Sequence, residues 1–147
     1  MKKIIALAAS TLLFPAMVTV AEDAALTIEL AGLAEAEGSI YISVYDNPDD
    51  WLGEERVANM QVAIDEALVD ELVVATMSLP AGDYAISIYY DANGNGDLDT
   101  NFIGIPKEPV ALSNNAKASF GPPKYKDAVF SLSADGLTQR IEMTEID

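Results

Sequence analysis

From Ala25 onward, apolar and polar residues alternate with a period of two, the spacing of half-buried strands. Leu26, Ile28 and Leu30 alternate with Thr27 and Glu29, and after a Glu37-Gly38 turn Ile40, Ile42 and Val44 alternate with Tyr41, Ser43 and Tyr45. Met60, Val62 and Ile64 form a third run, and residues 72–79 a fourth with weaker alternation. Tyr84, Ile86, Ile88 and Tyr90 form the fifth, Phe130 and Leu132 the sixth, and Ile141 and Met143 the seventh. Beyond residue 21 nothing sustains a helical period; 48–57 and 64–72 each have room for one helical turn. Short strands divided by turns predict an all-β, single-domain Greek-key sandwich of about seven strands, immunoglobulin-like or prealbumin-like. Its expected core includes Ile28, Ile42, Val62, Ile86, Ile88 and Phe130. Leu79-Pro80-Ala81-Gly82-Asp83-Tyr84 has the form of a tyrosine corner, in which a Tyr hydroxyl returns to the backbone a few residues upstream.

The N-terminus has a different pattern. Lys2 and Lys3 precede an apolar run from Ile4 to Val20, and Ala21 precedes the first acidic pair, Glu22-Asp23. These are the parts of a secretory signal peptide, so residues 1–21 are expected to be cut away. The domain at 22–147 is then exported, to the periplasm or beyond the cell. No other stretch approaches the roughly 20 apolar residues that cross a bilayer. Without Cys there is neither a disulfide nor a lipid-bearing cysteine. Loss of Lys2 and Lys3 leaves six basic residues against 24 acidic ones, a net charge of −18 on 126 residues. That charge repels nucleic acid and anionic membranes and attracts cations.

After Tyr90 the alternation stops until about Ala128, a connection far longer than usual. Phe102, Ile103, Ile105, Val110, Leu112, Phe120 and Tyr125 give it enough apolar material to pack down, so 91–127 is expected to be one long ordered loop. It opens Asp91-Ala92-Asn93-Gly94-Asn95-Gly96-Asp97-Leu98-Asp99. Against the D-x-[DN]-x-[DN]-G pattern, Asp91, Asn93 and Asn95 take the first three ligand positions and Gly96 the sharp turn. Asp97 would offer its main-chain carbonyl, and Asp99 would bind directly or through water. Calcium takes six to eight hard oxygens, the supply such a loop gives. Position twelve is Phe102 where a bidentate Glu would close a helix-loop-helix site, and a strand precedes the loop. The closing ligand must be Glu108, Asp127 or water. The plainer alternative is two Asn-Gly turns with solvated carboxylates.

The run D-A-N-G-N-G-D-L-D-T-N-F-I-G-I-P-K-E at 91–108, with S-N-N-A at 113–116, F-G-P-P at 120–123 and the lead-in L-P-A-G-D-Y-A-I at 79–86, resembles the bacterial family called domain of unknown function 2141. The resemblance implies an exported β-sandwich and no established activity. The family often has His where this chain has Tyr90, and an aromatic-containing segment where it has Ala111-Leu112.

Three function classes follow. The first is a non-catalytic module stabilised by calcium, whose long loop presents Ser113, Asn114, Asn115 and Lys124 to a ligand or uses them to cap its own backbone. The second, less favoured, is an enzyme. With neither His nor Cys, the Ser-His-Asp, Cys-His and His-ligated zinc arrangements are excluded, leaving a carboxylate pair or a Ser/Lys pair. The third is carbohydrate or surface adhesion through Tyr41, Tyr45, Tyr89 and Trp51.

Overall fold

The structure, a computed structural model, describes residues 22–34 and 37–144. The expected signal peptide lies outside the described residues. Among the described residues nine strands form two sheets. The first sheet has the order β4-β5-β1-β9, from β1 (Asp23–Ala31), β4 (Leu68–Val69), β5 (Leu72–Pro80) and β9 (Leu137–Glu142). The second runs β3-β2-β6-β7, from β2 (Ser39–Tyr45), β3 (Ala58–Ala63), β6 (Gly82–Asp91) and β7 (Val110–Leu112), with β8 (Phe130–Leu132) also paired to β6. All ladders are antiparallel except β1 with β9, which lie side by side in parallel from Leu26↔Leu137 to Ala31↔Glu142. The all-β sandwich read from the alternation is the fold observed.

The period of two fills the space between the sheets, because successive strand side chains point to opposite faces. Ala24, Leu26, Ile28 and Leu30 of β1 and Val73, Ala75, Met77 and Leu79 of β5 meet Ile40, Ile42 and Val44 of β2 and Ile86 and Ile88 of β6. Of the six expected core residues, Ile28, Ile42, Ile86, Ile88 and Phe130 are buried, and Val62, on edge strand β3, is half-buried against them. The tyrosine corner forms as well: Tyr84 Oη donates to the Pro80 carbonyl at 2.8 Å.

One of the two expected places for a helical turn forms it, the other does not, and the long loop is interrupted. The 64–72 segment is a single helical turn, α1 (Ile64–Ala67), followed by β4, which turns back on β5 through Asp70 and Glu71, both at positive φ. The 48–57 segment has turns but no helix. The 91–127 stretch is not one loop, since β7 inside it pairs Leu112 with Ser87 and Val110 with Tyr89. A short 3-10 turn at Ser113–Asn115 and one helical turn, α2 (Tyr125–Ala128), follow. No described helix is long and apolar enough to cross a membrane.

Candidate functional site

Asp91 ends β6 and starts the acidic loop. Its side chain is only 5% exposed and is turned into the loop's own backbone. Oδ1 accepts the N–H groups of Gly94 at 2.7 Å and Asn95 at 3.2 Å, and Oδ2 accepts that of Gly96 at 2.8 Å. Hydrogen bonds to a charged acceptor are the stronger kind, so one carboxylate fixes this turn. Gly94 and Gly96 sit at φ +73° and +82°, where a Cβ would be strained. Two smaller Asx turns lie within it: Asn93 Oδ1 takes the Asn95 N–H at 3.0 Å, and Asn95 Oδ1 takes the Asp97 N–H at 2.9 Å.

The loop's far side is closed by Glu108. It is as buried as Asp91, at 5% exposed, and bridges the two ends of the loop. Oε1 accepts the Ala92 N–H at 2.9 Å and Oε2 the Asp99 N–H at 3.1 Å. Glu108, one of the carboxylates expected to close the loop, lies against it with both oxygens on backbone amides. A carboxylate offers about four lone-pair directions, so each oxygen keeps one for another partner. Asp127 stands elsewhere, on α2, where its carbonyl faces the Asn114 side chain.

The polar heads of Asn93, Asn95 and Asp99 meet at one point. Asn93 Nδ2 contacts Asp99 Oδ2, and Asn95 Nδ2 reaches the same oxygen at 3.3 Å. Here two neutral amide groups donate to one oxygen of the Asp99 carboxylate. A half-turn of each amide head would put an oxygen in the same place, at the cost of its Asx turn. Among the described residues no three His, Cys, Asp or Glu side chains gather into one coordination shell. An ion at this point would draw on Asn and main-chain oxygens beside Asp99. Asp97, read as a carbonyl donor, is held through its N–H by Asn95.

The loop rests on an aromatic pair. Tyr41 and Tyr89 stack with centroids 5.0 Å apart and planes 7° apart, and Tyr89 Oη donates to the Gly96 carbonyl at 2.8 Å. Burial first, then the neighbouring Tyr41, Asp91 and Asp97, push the Tyr89 hydroxyl up to about 12, with Arg56 opposing. Beside the pair, a shallow groove of about 460 Å³ is lined by Glu37, Ser39, Tyr41, Gln61, Tyr90 and Asn93, among others. Beyond Asp99 the chain forms a small hairpin, with a Thr100–Pro106 bridge and Asn101 Oδ1 accepting the Ile103 and Ile105 N–H groups at 3.0 Å. Its tip holds Phe102 98% exposed, with Ile103 and Ile105 also in solvent.

The residues read as ligand-contacting are placed differently. Ser113 is fully buried: its Oγ accepts the Ile86 N–H at 2.8 Å and donates to the Ala128 carbonyl at 2.6 Å, joining β6 to the end of α2. Asn114 donates to the Val129 carbonyl at 2.8 Å, and Asn115 accepts the Glu142 N–H at 2.8 Å, tying the turn to β9. Hydrogen bonding spends these three side chains on neighbouring elements, β6, the end of α2 and β9. Lys124 stays exposed at the start of α2. The aromatic reading changes too. Tyr45 is buried beneath Trp51, whose ring packs edge-on between Tyr45 at 5.2 Å and Tyr125 at 5.8 Å and whose Nε1 donates to the Pro123 carbonyl at 2.9 Å. These rings clamp the 46–57 and 116–124 segments and are not free platforms.

Fold and loop together define a two-sheet β-sandwich with an Asx-folded acidic loop at the C-terminal end of β6. The chain belongs to the family described as "Uncharacterized protein conserved in bacteria (DUF2141)", whose model matches residues 28–140. No curated protein and no solved structure matches it.

Proposed function

We propose that this is an exported, non-catalytic β-sandwich module whose 91–101 loop closes around one calcium ion. The observation that carries the reading is the convergence of Asn93, Asn95 and Asp99 at one point above a turn that Asp91 already holds in shape. Asp91 and Glu108 are the frame, Glu108 with a lone-pair direction free on each oxygen and Asp91 with one on Oδ2, and Asp99 supplies the charge. Calcium's tolerance of irregular shells of neutral and charged oxygens suits this set better than magnesium's octahedron. Export follows from the basic, apolar and small-residue pattern of residues 1–21. The absence of His and Cys supports a non-catalytic role, because the common nucleophile-base pairs cannot be assembled. Isothermal titration of the exported chain, expressed without residues 1–21, should find one calcium site with a dissociation constant on the order of 10⁻⁴ to 10⁻³ M, the range of extracellular modules. Heat indistinguishable from dilution would remove calcium from the account.

A second reading, carbohydrate or surface binding, is favoured by the groove beside the same loop. Its Tyr41 and Tyr90 rings and its Gln61 and Asn93 amides are groups that contact neutral sugars, whereas Glu37 disfavours acidic ones. Binding of neutral glycans on an array, abolished by Gln61→Ala together with Tyr41→Ala, would bear it out; an array silent to the parent protein would discard it.

A further inference from the structure

The chain has two Asn-Gly pairs, Asn93-Gly94 and Asn95-Gly96, consecutive in the acidic loop. Such pairs rearrange without an enzyme. The glycine nitrogen attacks the asparagine Cγ, the side-chain nitrogen departs as ammonia with the proton from the glycine N–H, and a five-membered imide closes. Water then adds to either ring carbonyl and opens it to aspartate or isoaspartate. Glycine makes ring closure easy because it lacks a Cβ and its backbone is free to turn.

In the folded loop both attacking nitrogens are committed. Gly94 N–H is donated to Asp91 Oδ1 at 2.7 Å and Gly96 N–H to Asp91 Oδ2 at 2.8 Å, the two oxygens of one carboxylate. The electrophilic heads are held as well, Asn93 by the Asn95 N–H and Asp99, and Asn95 by the Asp97 N–H and Asp99. Yet Asn93, Gly94 and Asn95 are exposed, so water and base reach them once the turn opens. We infer that Asn93 and Asn95 form a self-modification site held shut by Asp91, in which release of the cap converts neutral amides into carboxylates. Conversion at Asn93 replaces an N–H donor to Asp99 with a second negative charge. A modified loop then holds positions 93 and 99 together only through a cation. This consequence rests on the calcium reading; the modification itself does not.

The test incubates the exported chain at mildly alkaline pH and follows the mass gain of amide-to-acid conversion, with peptide mapping of 91–107. Four samples are compared: the folded parent, the parent in urea, folded Asp91→Ala, and the milder Asp91→Asn in case the first does not fold. The urea sample and the folded variant should convert at Asn93 and Asn95 about ten- to a hundredfold faster than the folded parent, the factor expected for losing a hydrogen bond to a charged acceptor. Conversion of the folded parent as fast as in urea would overturn the inference. So would a folded variant no faster than the parent, which would show that Asp91 does not hold the site shut. If neither variant folds, amide exchange of Gly94 and Gly96 in the parent decides: slow exchange supports the latch and rapid exchange contradicts it.

Discussion

Replacing Ser113 by alanine removes one oxygen from the protein interior and strands two backbone groups. The Ile86 N–H loses its acceptor at 2.8 Å and the Ala128 carbonyl its donor at 2.6 Å. Both bonds lie in the buried join between β6, the turn after β7 and the end of α2, where Ser113 is fully buried. An orphaned buried backbone group costs about 1–3 kcal/mol, so Ser113→Ala, which strands two, should lose about 2–6 kcal/mol. For a chain of this size, 1 kcal/mol moves the midpoint by about 4 °C, placing the expected fall in Tm at about 8–24 °C. Thr27→Ala is the matched control. It also deletes a hydroxyl, but an exposed one whose contact with Thr76 at 3.3 Å competes with water. It should stay within about 0.5 kcal/mol of the parent. Urea melts with unchanged slope would measure both. A Ser113→Ala loss no larger than that of Thr27→Ala would refute the argument that the S-N-N turn is a structural clasp.

Tyr84→Phe removes only the bond to the Pro80 carbonyl and should cost about 0.5–1.5 kcal/mol in the same melts. The Tyr89 hydroxyl, pushed up to about 12 in the fold from an ordinary 10.0, ionises more readily in the unfolded chain. Its contribution to stability is therefore complete below pH 10.0 and is lost as pH rises towards about 12, where the phenolate can no longer donate to Gly96. Burial raises the Tyr84 and Tyr125 hydroxyls too, so a tyrosinate absorbance titration should show a late-ionising component that Tyr89→Phe reduces; a loss in Tyr41→Phe but not in Tyr89→Phe would contradict the assignment. Phe102→Ser, at the exposed hairpin tip, should leave stability within about 0.5 kcal/mol, and a larger loss would mean the tip packs on the domain.

What the sequence showed clearly was local. Strand alternation gives the core because its period of two is a property of neighbours, and the Asx turns of 91–97 follow from Asn and Asp beside Gly. Glu108 was reachable too, as a carboxylate close in sequence to a loop short of a closing ligand. The misreadings are long-range. Ser113 looks like a surface hydroxyl until Ile86, 27 residues away, is set beside it. Trp51, in a polar stretch, looks exposed until Tyr125 and Pro123 cover it from more than 70 residues downstream. Val110-Ala111-Leu112 is too short to show a period at all, and only its pairing with β6 makes it a strand. Asp91 takes the first ligand position of the sequence pattern and in the structure also caps the turn, so Asp99 is the better residue to change when asking about metal.

That question has a direct measurement: thermal melts of the parent and of Asp99→Asn across matched series of calcium and magnesium. Any divalent ion screens the self-repulsion of so acidic a chain, and the difference between the two ions isolates the loop. At a hundredfold excess over its dissociation constant, calcium should add about 2.7 kcal/mol. At about 4 °C per kcal/mol that raises Tm by about 10 °C. Magnesium should raise it less. In Asp99→Asn, which keeps the Asp91 cap and the Asn turns, the excess of calcium over magnesium should vanish. Equal shifts for the two ions in the parent, or an undiminished calcium excess in Asp99→Asn, would contradict the calcium loop.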